Sequence, residues 1–196
     1  MMNLREKMCS GKMYNDYSEE LVEARKRAVL LTNKYNQSFG EPEEERIKFL
    51  DELLEKHGKN THFEPDFRCE FGFNITVGDN FFANFDCIIL DCAKVTIGDN
   101  VLFGPRVGIY LANHAAIAEE RNAGACYAKP VTIGNNVWVG AGVNINQGVT
   151  IGDNTIIGSG SVVTKDIPAN VIAVGNPCKV LREITEDDRS DYLETL

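Results

Sequence analysis

A chain of 196 residues, 43% hydrophobic and 25% charged, has the make-up of one globular domain with a small appendage. Its formal charge of -9 and isoelectric point near 4.9 argue against a nucleic-acid or anionic-membrane partner. Residues 1–20 lack the apolar run of a secretion leader and no window has the length of a membrane span, so a cytoplasmic protein is expected.

Residues 1–60 read as an N-terminal helical segment. In a first helix Leu21, Ala24, Ala28, Leu31 and Tyr35 fall on one stripe, with Ser18 as its N-cap. A second helix follows, with Pro42 at its first position, Ile47, Leu50, Leu53 and Leu54 on its apolar face, and Gly58 at its stop. Two helices this short bury too little alone, so the hairpin must dock on something.

From residue 61 to 180 the pattern changes. "VTIGDN" occurs at 95–100 and again at 149–154, with "ITVGDN" at 75–80 and "VTIGNN" at 131–136. The apolar residue before the glycine recurs in steps of six at Ile133, Val139, Ile145, Ile151, Ile157 and Val163. Such a period marks a solenoid in which each hexad is one short strand and a corner. The markers point inward and stack from coil to coil, and the glycine or asparagine after them is expected to take the left-handed corner conformation.

Two irregularities interrupt the phase. The step from Ile89 to Ile97 is eight, which places about two extra residues near 91–93. Between Ile109 and Ile133 the register survives but the pattern is lost, so 111–130 is expected as a protruding loop. Residues 181–196 remain as a C-terminal tail. The six cysteines include no CxxC pair and none near a histidine at zinc-ligand spacing, so free, buried thiols are expected and no metal is required.

The strings "FGFNITVGDNFFANFDCIILD", "VTIGNNVWVGAG" and "GSGSVVTKDIPANVIAVGNPCKVLREI" resemble the maltose and galactoside O-acetyltransferase branch of the hexapeptide-repeat acyltransferases. The similarity runs from about residue 7 to 183. It implies a mainly β fold, a left-handed parallel β-helix with a small N-terminal helical hairpin. It also implies a homotrimer with active sites in the clefts between neighbouring coils, acetyl-CoA along each cleft, and a sugar hydroxyl, typically the 6-hydroxyl, as acceptor.

Transfer of an acetyl group from a thioester to an alcohol needs a base, an oxyanion contact and a site that holds both substrates together. Three histidines are present, and His57 and His62 lie at a helix end and in a linker. His114 opens the long loop and matches the family's catalytic base; imidazole is suited to that work near neutral pH. Ala115 follows it where the family usually has proline, and is expected to loosen the loop. Asn84 matches a residue that contacts the acceptor and the reacting region. The Ala141 N–H matches an oxyanion or thioester contact. Trp138, expected to point outward, matches the cleft wall beside the coenzyme.

Ser159, Thr164 and Lys165 match positions along the pantetheine arm, and Lys179 and Arg182 match basic positions near the nucleotide phosphates. Asp16 and Glu70 match sugar contacts. Glu70 and Cys92 stand where the galactoside type has serine and aspartate, which leans the pattern to glucose or maltose. Three rivals remain. A zinc carbonic anhydrase on the same coil needs three converging histidines, but only His114 lies in the coils. An ice-binding scaffold would want regular threonine rows, and none is expected; a non-catalytic scaffold would have lost His114, Asn84 or the "TKD" segment, and all are present. The same chemistry could also serve another acceptor: an antibiotic, serine or a polysaccharide sugar.

Overall fold

The computed structural model describes residues 4–190 and Tyr192. Residue 191 and residues 193–196 of the expected tail lie outside the described residues. The body is a parallel β-helix with three faces. The first face stacks Ile75–Val77, Val95–Ile97, Val131–Ile133 and Thr150–Ile151. The second stacks His62–Phe63, Phe82–Ala83, Leu102–Phe103, Trp138–Val139, Ile156–Ile157 and Val171–Val174, six parallel strands. The third stacks Arg68–Cys69, Ile88–Leu90, Gly108–Tyr110, Asn144–Asn146 and Val162–Val163. Inward side chains form the aliphatic columns expected from the markers, such as Ile89, Ile109, Ile145 and Val163, all fully buried.

The expected two-residue insertion is present. Val95 pairs with Ile75, 20 residues back, whereas Thr150 pairs with Thr132, 18 back. The enlarged coil is fixed by Asp91, whose Oδ1 accepts the Phe71 N–H at 2.8 Å and whose Oδ2 accepts the Asn74 N–H at 3.2 Å. Burial raises the pKa of this carboxyl to about 6, against the lowering effect of those backbone donors.

The corner between the first and second faces corrects one expectation. Asn80, Asn100, Asn136 and Asn154 take the left-handed conformation, with φ of 56–57°. The glycines after the markers do not; they are there for space. A Cβ on Gly78, Gly98 or Gly134 would run into the Oδ1 of Asp99, Asn135 or Asp153 on the next coil. Those same oxygens accept backbone N–H groups, such as Asp99 Oδ1 from Asp79 at 2.7 Å. The asparagine amides bond in series from Asn60 through Asn80, Asn100, Asn136 and Asn154 to Asn170, at 2.8–3.1 Å.

The register also corrects the expectation about threonine. Thr76, Thr96, Thr132 and Thr150 stack in one outward file on the first face. Their unequal spacing along the chain hides the row. One file of four hydroxyls is still not a two-dimensional array.

Among the described residues four α-helices accompany the coil: α1 (Leu4–Cys9), α2 (Glu19–Gln37), α3 (Glu43–Leu53) and α4 (Ala118–Asn122). Leu21, Ala28, Leu31 and Tyr35 of α2 are buried, as the stripe requires. Ser18 occupies the N-cap without a side-chain bond, and Pro42 is the residue before α3 rather than its first. Gly58 is not the stop of α3, which ends five residues earlier. It sits in the first coil, where a Cβ would meet Asp79, and pairing with the coil begins at Lys56, inside the stretch assigned to the helices.

The hairpin docks on the open edge of the coil. The Tyr35 hydroxyl accepts the Phe63 N–H and donates to the Phe63 carbonyl, both at 3.1 Å. The Asn36 side chain does the same for Phe67, at 3.0 Å. Backbone groups that no strand pairs are thereby satisfied. Beneath them Phe63, Phe67, Phe81 and Phe103 plug the wide end, with Phe63 and Phe67 stacked at 4.0 Å. At the other end the expected tail begins as a strand, Lys179–Glu183, which turns back antiparallel on Val171–Val174.

Candidate active site

The stretch 111–130 is not a loose loop. Ala112–His114 pairs antiparallel with Ala125–Ala128, and α4 closes the turn between them. A third strand, Tyr14–Asn15, pairs on the outer side of Ala125–Ala128. His114 therefore sits on a three-stranded arm, opposite Cys126, with its side chain exposed. Ala115 is buried, and its N–H donates to the Ala125 carbonyl at 3.2 Å. Proline could not make that bond, so alanine anchors the arm where loosening was expected.

The arm leaves the coil at the corner between the third and first faces. Glu70 and Cys92 occupy that same corner in the two preceding coils, by the register of Cys69, Ile89 and Ile109. Asp16, just beyond the outer strand of the arm, donates its N–H to the Gly124 carbonyl at 2.9 Å. Arg25 of α2 ties this group together. Its Nη2 meets Asp16 Oδ1, its Nη1 donates to the Asp16 carbonyl at 2.9 Å, and its Nε meets Glu70 Oε1. Sequence reasoning missed Arg25. On a helical wheel it is one polar residue among several, and only the fold brings Glu70 to it.

The proposed coenzyme residues lie on two different corners and on the second face. Asn84, Ala141 and Ser159 lie on the corner between the second and third faces, in coils stacked by the pairing of Ala83, Phe103, Val139 and Ile157. Asn84 Oδ1 accepts the Phe85 N–H at 2.8 Å. The Ala141 N–H donates to Ser159 Oγ at 3.1 Å, so the serine hydroxyl must yield before that donor can serve a thioester. Gly104 and Gly140 keep this corner low, since a Cβ there would meet the backbone of the next coil. Trp138 projects from the second face, half exposed, between Leu102 and Ile156.

Thr164 and Lys165 follow Val163 on the corner that carries the arm, and both are exposed. Lys179 and Arg182 lie on the antiparallel strand that extends the second face at its last edge, and both are exposed. Arg182 is engaged in a two-point pair with Asp188, at 2.6 Å for each bond. That pair, together with the Thr185 N–H, holds the Asp188 carboxyl down at about 2.

The chain thus carries two groups of candidate residues at opposite edges of the third face. The strand between Ser159 and Thr164 separates them by roughly 15 Å at about 3.3 Å per residue. A cavity of about 500 Å3 lies elsewhere, by Ile47, His57 and Asn60, and none of the candidate residues lines it. His57 is bonded to Asp51 and the Gly58 carbonyl, and His62 stacks on Phe82.

The six cysteines are free, and burial raises every thiol, that of Cys87 to about 12. Among the described residues no helix is long and apolar enough to cross a membrane.

Comparison with known proteins agrees with this architecture. The family described as maltose acetyltransferase hexapeptide capping motif matches residues 7–58. Bacterial transferase hexapeptide repeats match residues 130–165, and a hexapeptide repeat of succinyl-transferase matches 94–109. Galactoside O-acetyltransferase of Escherichia coli is 45% identical over 98% of this chain and 95% of its own. The crystal structure of a maltose O-acetyltransferase from Clostridium difficile superposes with a TM-score of 0.90 at 51% identity, covering 94% of this chain and 99% of that one. A galactoside acetyltransferase solved in complex with coenzyme A gives a TM-score of 0.90 at 46% identity, covering 96% and 94%. The chain belongs to the maltose and galactoside O-acetyltransferase family of hexapeptide-repeat acyltransferases.

Proposed function

We propose that the protein moves the acetyl group of acetyl-CoA directly to a sugar hydroxyl, the 6-hydroxyl of glucose, maltose or a related glycoside, with His114 as general base. The observation that carries this reading is the division of the site between two edges of one face. An acceptor group of Asp16, Arg25 and Glu70 lies beside the arm of His114. A coenzyme-facing corner of Asn84, Ala141 and Ser159 lies across the sheet. In a homotrimer one chain's arm would meet its neighbour's corner, giving three shared clefts. The apolar row of Phe82, Leu102, Trp138 and Ile156 on the second face gives such an assembly something to bury.

In this cleft His114 takes the proton of the acceptor hydroxyl as its oxygen attacks the thioester carbonyl. The Ala141 N–H and Asn84 face the carbonyl oxygen as it gains charge. Collapse of the intermediate breaks the carbon–sulfur bond, and His114 returns the proton to the departing thiolate. Thr164 and Lys165 flank the pantetheine arm, and Lys179 and Arg182 meet the phosphates. Direct transfer is supported by the thiols: all six are raised by burial, so none is poised as a thiolate to carry the acetyl group. Free thiols also fit the reducing cytoplasm.

Mass spectrometry of products tests this reading. The protein is incubated with acetyl-CoA and glucose, maltose, galactosides, an aminoglycoside, chloramphenicol or serine. An acetylated glucoside is expected; acetylation of the antibiotics or serine alone would replace the acceptor. Co-expression of His114→Ala with Asn84→Ala tests the shared cleft. Each variant alone is inactive, and mixed trimers recover up to about a quarter of the activity if each site draws on two chains. No recovery would place both residues in one chain's site.

A further inference from the structure

We infer that Glu70 is a charge-selecting residue that works through Arg25: by occupying the Nε edge of the guanidinium it keeps anions out of the acceptor pocket and limits acceptors to uncharged hydroxyl compounds. The inference rests on the proposed acceptor side of the cleft. Every nitrogen of Arg25 already has a partner: Glu70 at Nε, the Asp16 carboxylate at Nη2 and the Asp16 carbonyl at Nη1. The guanidinium lies 5.1 Å from the centre of the Phe71 ring. The three side chains keep 25%, 19% and 23% of their surface exposed, so the group is reachable from the cleft but shielded on one side.

Two carboxylates and one guanidinium leave this wall one negative charge. An arginine with a free planar edge is a ready receptor for carboxylate or phosphate. Here Glu70 fills that edge. A hydroxyl-bearing acceptor can still donate to the outer carboxylate oxygens. An anionic one meets like charge and finds the Nε edge already taken. Neutralising Glu70 would leave one guanidinium against one carboxylate and open the Nε edge.

The test is binding of inorganic phosphate at low ionic strength by calorimetry, read without acetyl-CoA and without turnover. The unmutated protein is expected to bind weakly, and Glu70→Gln at least about tenfold more tightly. Adding Arg25→Gln to Glu70→Gln is expected to abolish the gain. Thermal melting confirms that each variant is folded, and Glu70→Ser replaces Glu70→Gln if that variant is not. Equal binding by the unmutated protein, or a gain that persists without Arg25, would overturn the inference. In the Glu70 variant phosphate is also expected to compete with the sugar acceptor. Phosphate that binds but does not compete would remove Arg25 from the acceptor pocket. Failure of acetyl transfer in every variant would sink the proposed function and leave the binding result standing.

Discussion

Two corners of the same coil solve one problem in opposite ways. Both turn the chain through a left-handed residue in at least four successive coils. Between the first and second faces that residue is asparagine at Asn80, Asn100, Asn136 and Asn154, and each amide bonds to the next. Between the second and third faces it is Asp86, Arg106, Gly142 and Gly160, with no series of side-chain bonds among them. The first corner spends its side chains on itself. The second leaves its rim low and open, and there Asn84, Ala141 and Ser159 stand. A repeat protein can thus keep one edge for stability and clear another for a ligand, without changing its period.

Breaking this division should separate activity from stability. His114→Ala, on the arm and outside the ladders, is expected to lower turnover about a hundred- to ten-thousand-fold. Its melting temperature should match that of the unmutated protein; a large drop would make the histidine structural. Gly134→Ala has the next largest effect, a loss of about 3 kcal/mol in denaturant unfolding. The new methyl meets Asp153 Oδ1, which cannot swing away without dropping the Asn135 N–H. Gly142→Ala on the open corner meets nothing and has only its φ of 66° to strain it, at a cost of about 1 kcal/mol. Equal costs for the two glycines would erase the distinction between the corners.

The third corner adds a dependence on pH. Asp91 has a pKa of about 6 in the fold and 3.8 as a free side chain. Between those values the folded protein holds a proton that the unfolded chain does not. The stability tied to that proton is fully present below about pH 4 and is lost as pH rises through 6, a change on the order of 2–3 kcal/mol. Asp91→Asn should therefore gain on the unmutated protein by about 2 kcal/mol between pH 4.5 and 7 in matched denaturant titrations. A constant difference across that range would show that burial does not raise this carboxyl. The smallest effect is expected from Asp188→Asn, which releases Arg182. The KM for acetyl-CoA should fall about two- to threefold and become more sensitive to salt; no change would place Arg182 away from the phosphates.

The regular part of this molecule was legible because its physics is local. A marker every six residues, a glycine where coils touch and an asparagine two positions later are written within single hexads. Even so, the reading left the left-handed turn to either glycine or asparagine, because positive φ and close packing both select glycine. The two extra residues at 91–93 were visible as a slip in phase, and His114 stood where the pattern lapses while the register survives. What was hidden depends on contacts between distant parts of the chain. Tyr14 pairs with Cys126 across 112 residues and turns an apparent loop into a sheet. Arg25 joins Asp16 to Glu70 only after α2 lies against the coil. The threonine file appears only when coils of 20, 36 and 18 residues are superposed.

A parallel coil carries no internal instruction to stop, since each turn offers the next the same unpaired backbone and the same oily cross-section. Here both ends are sealed, by Tyr35, Asn36 and the phenylalanine plug at one end and by the returning strand 179–183 at the other. The seals make the second face a ruler of six rungs, and they deny any neighbouring molecule the template it would need to continue the stack. The height of the stack is therefore set at the two ends of the coil, by contacts that no single hexad contains. Loss of either seal would turn a counted object into one able to grow end to end.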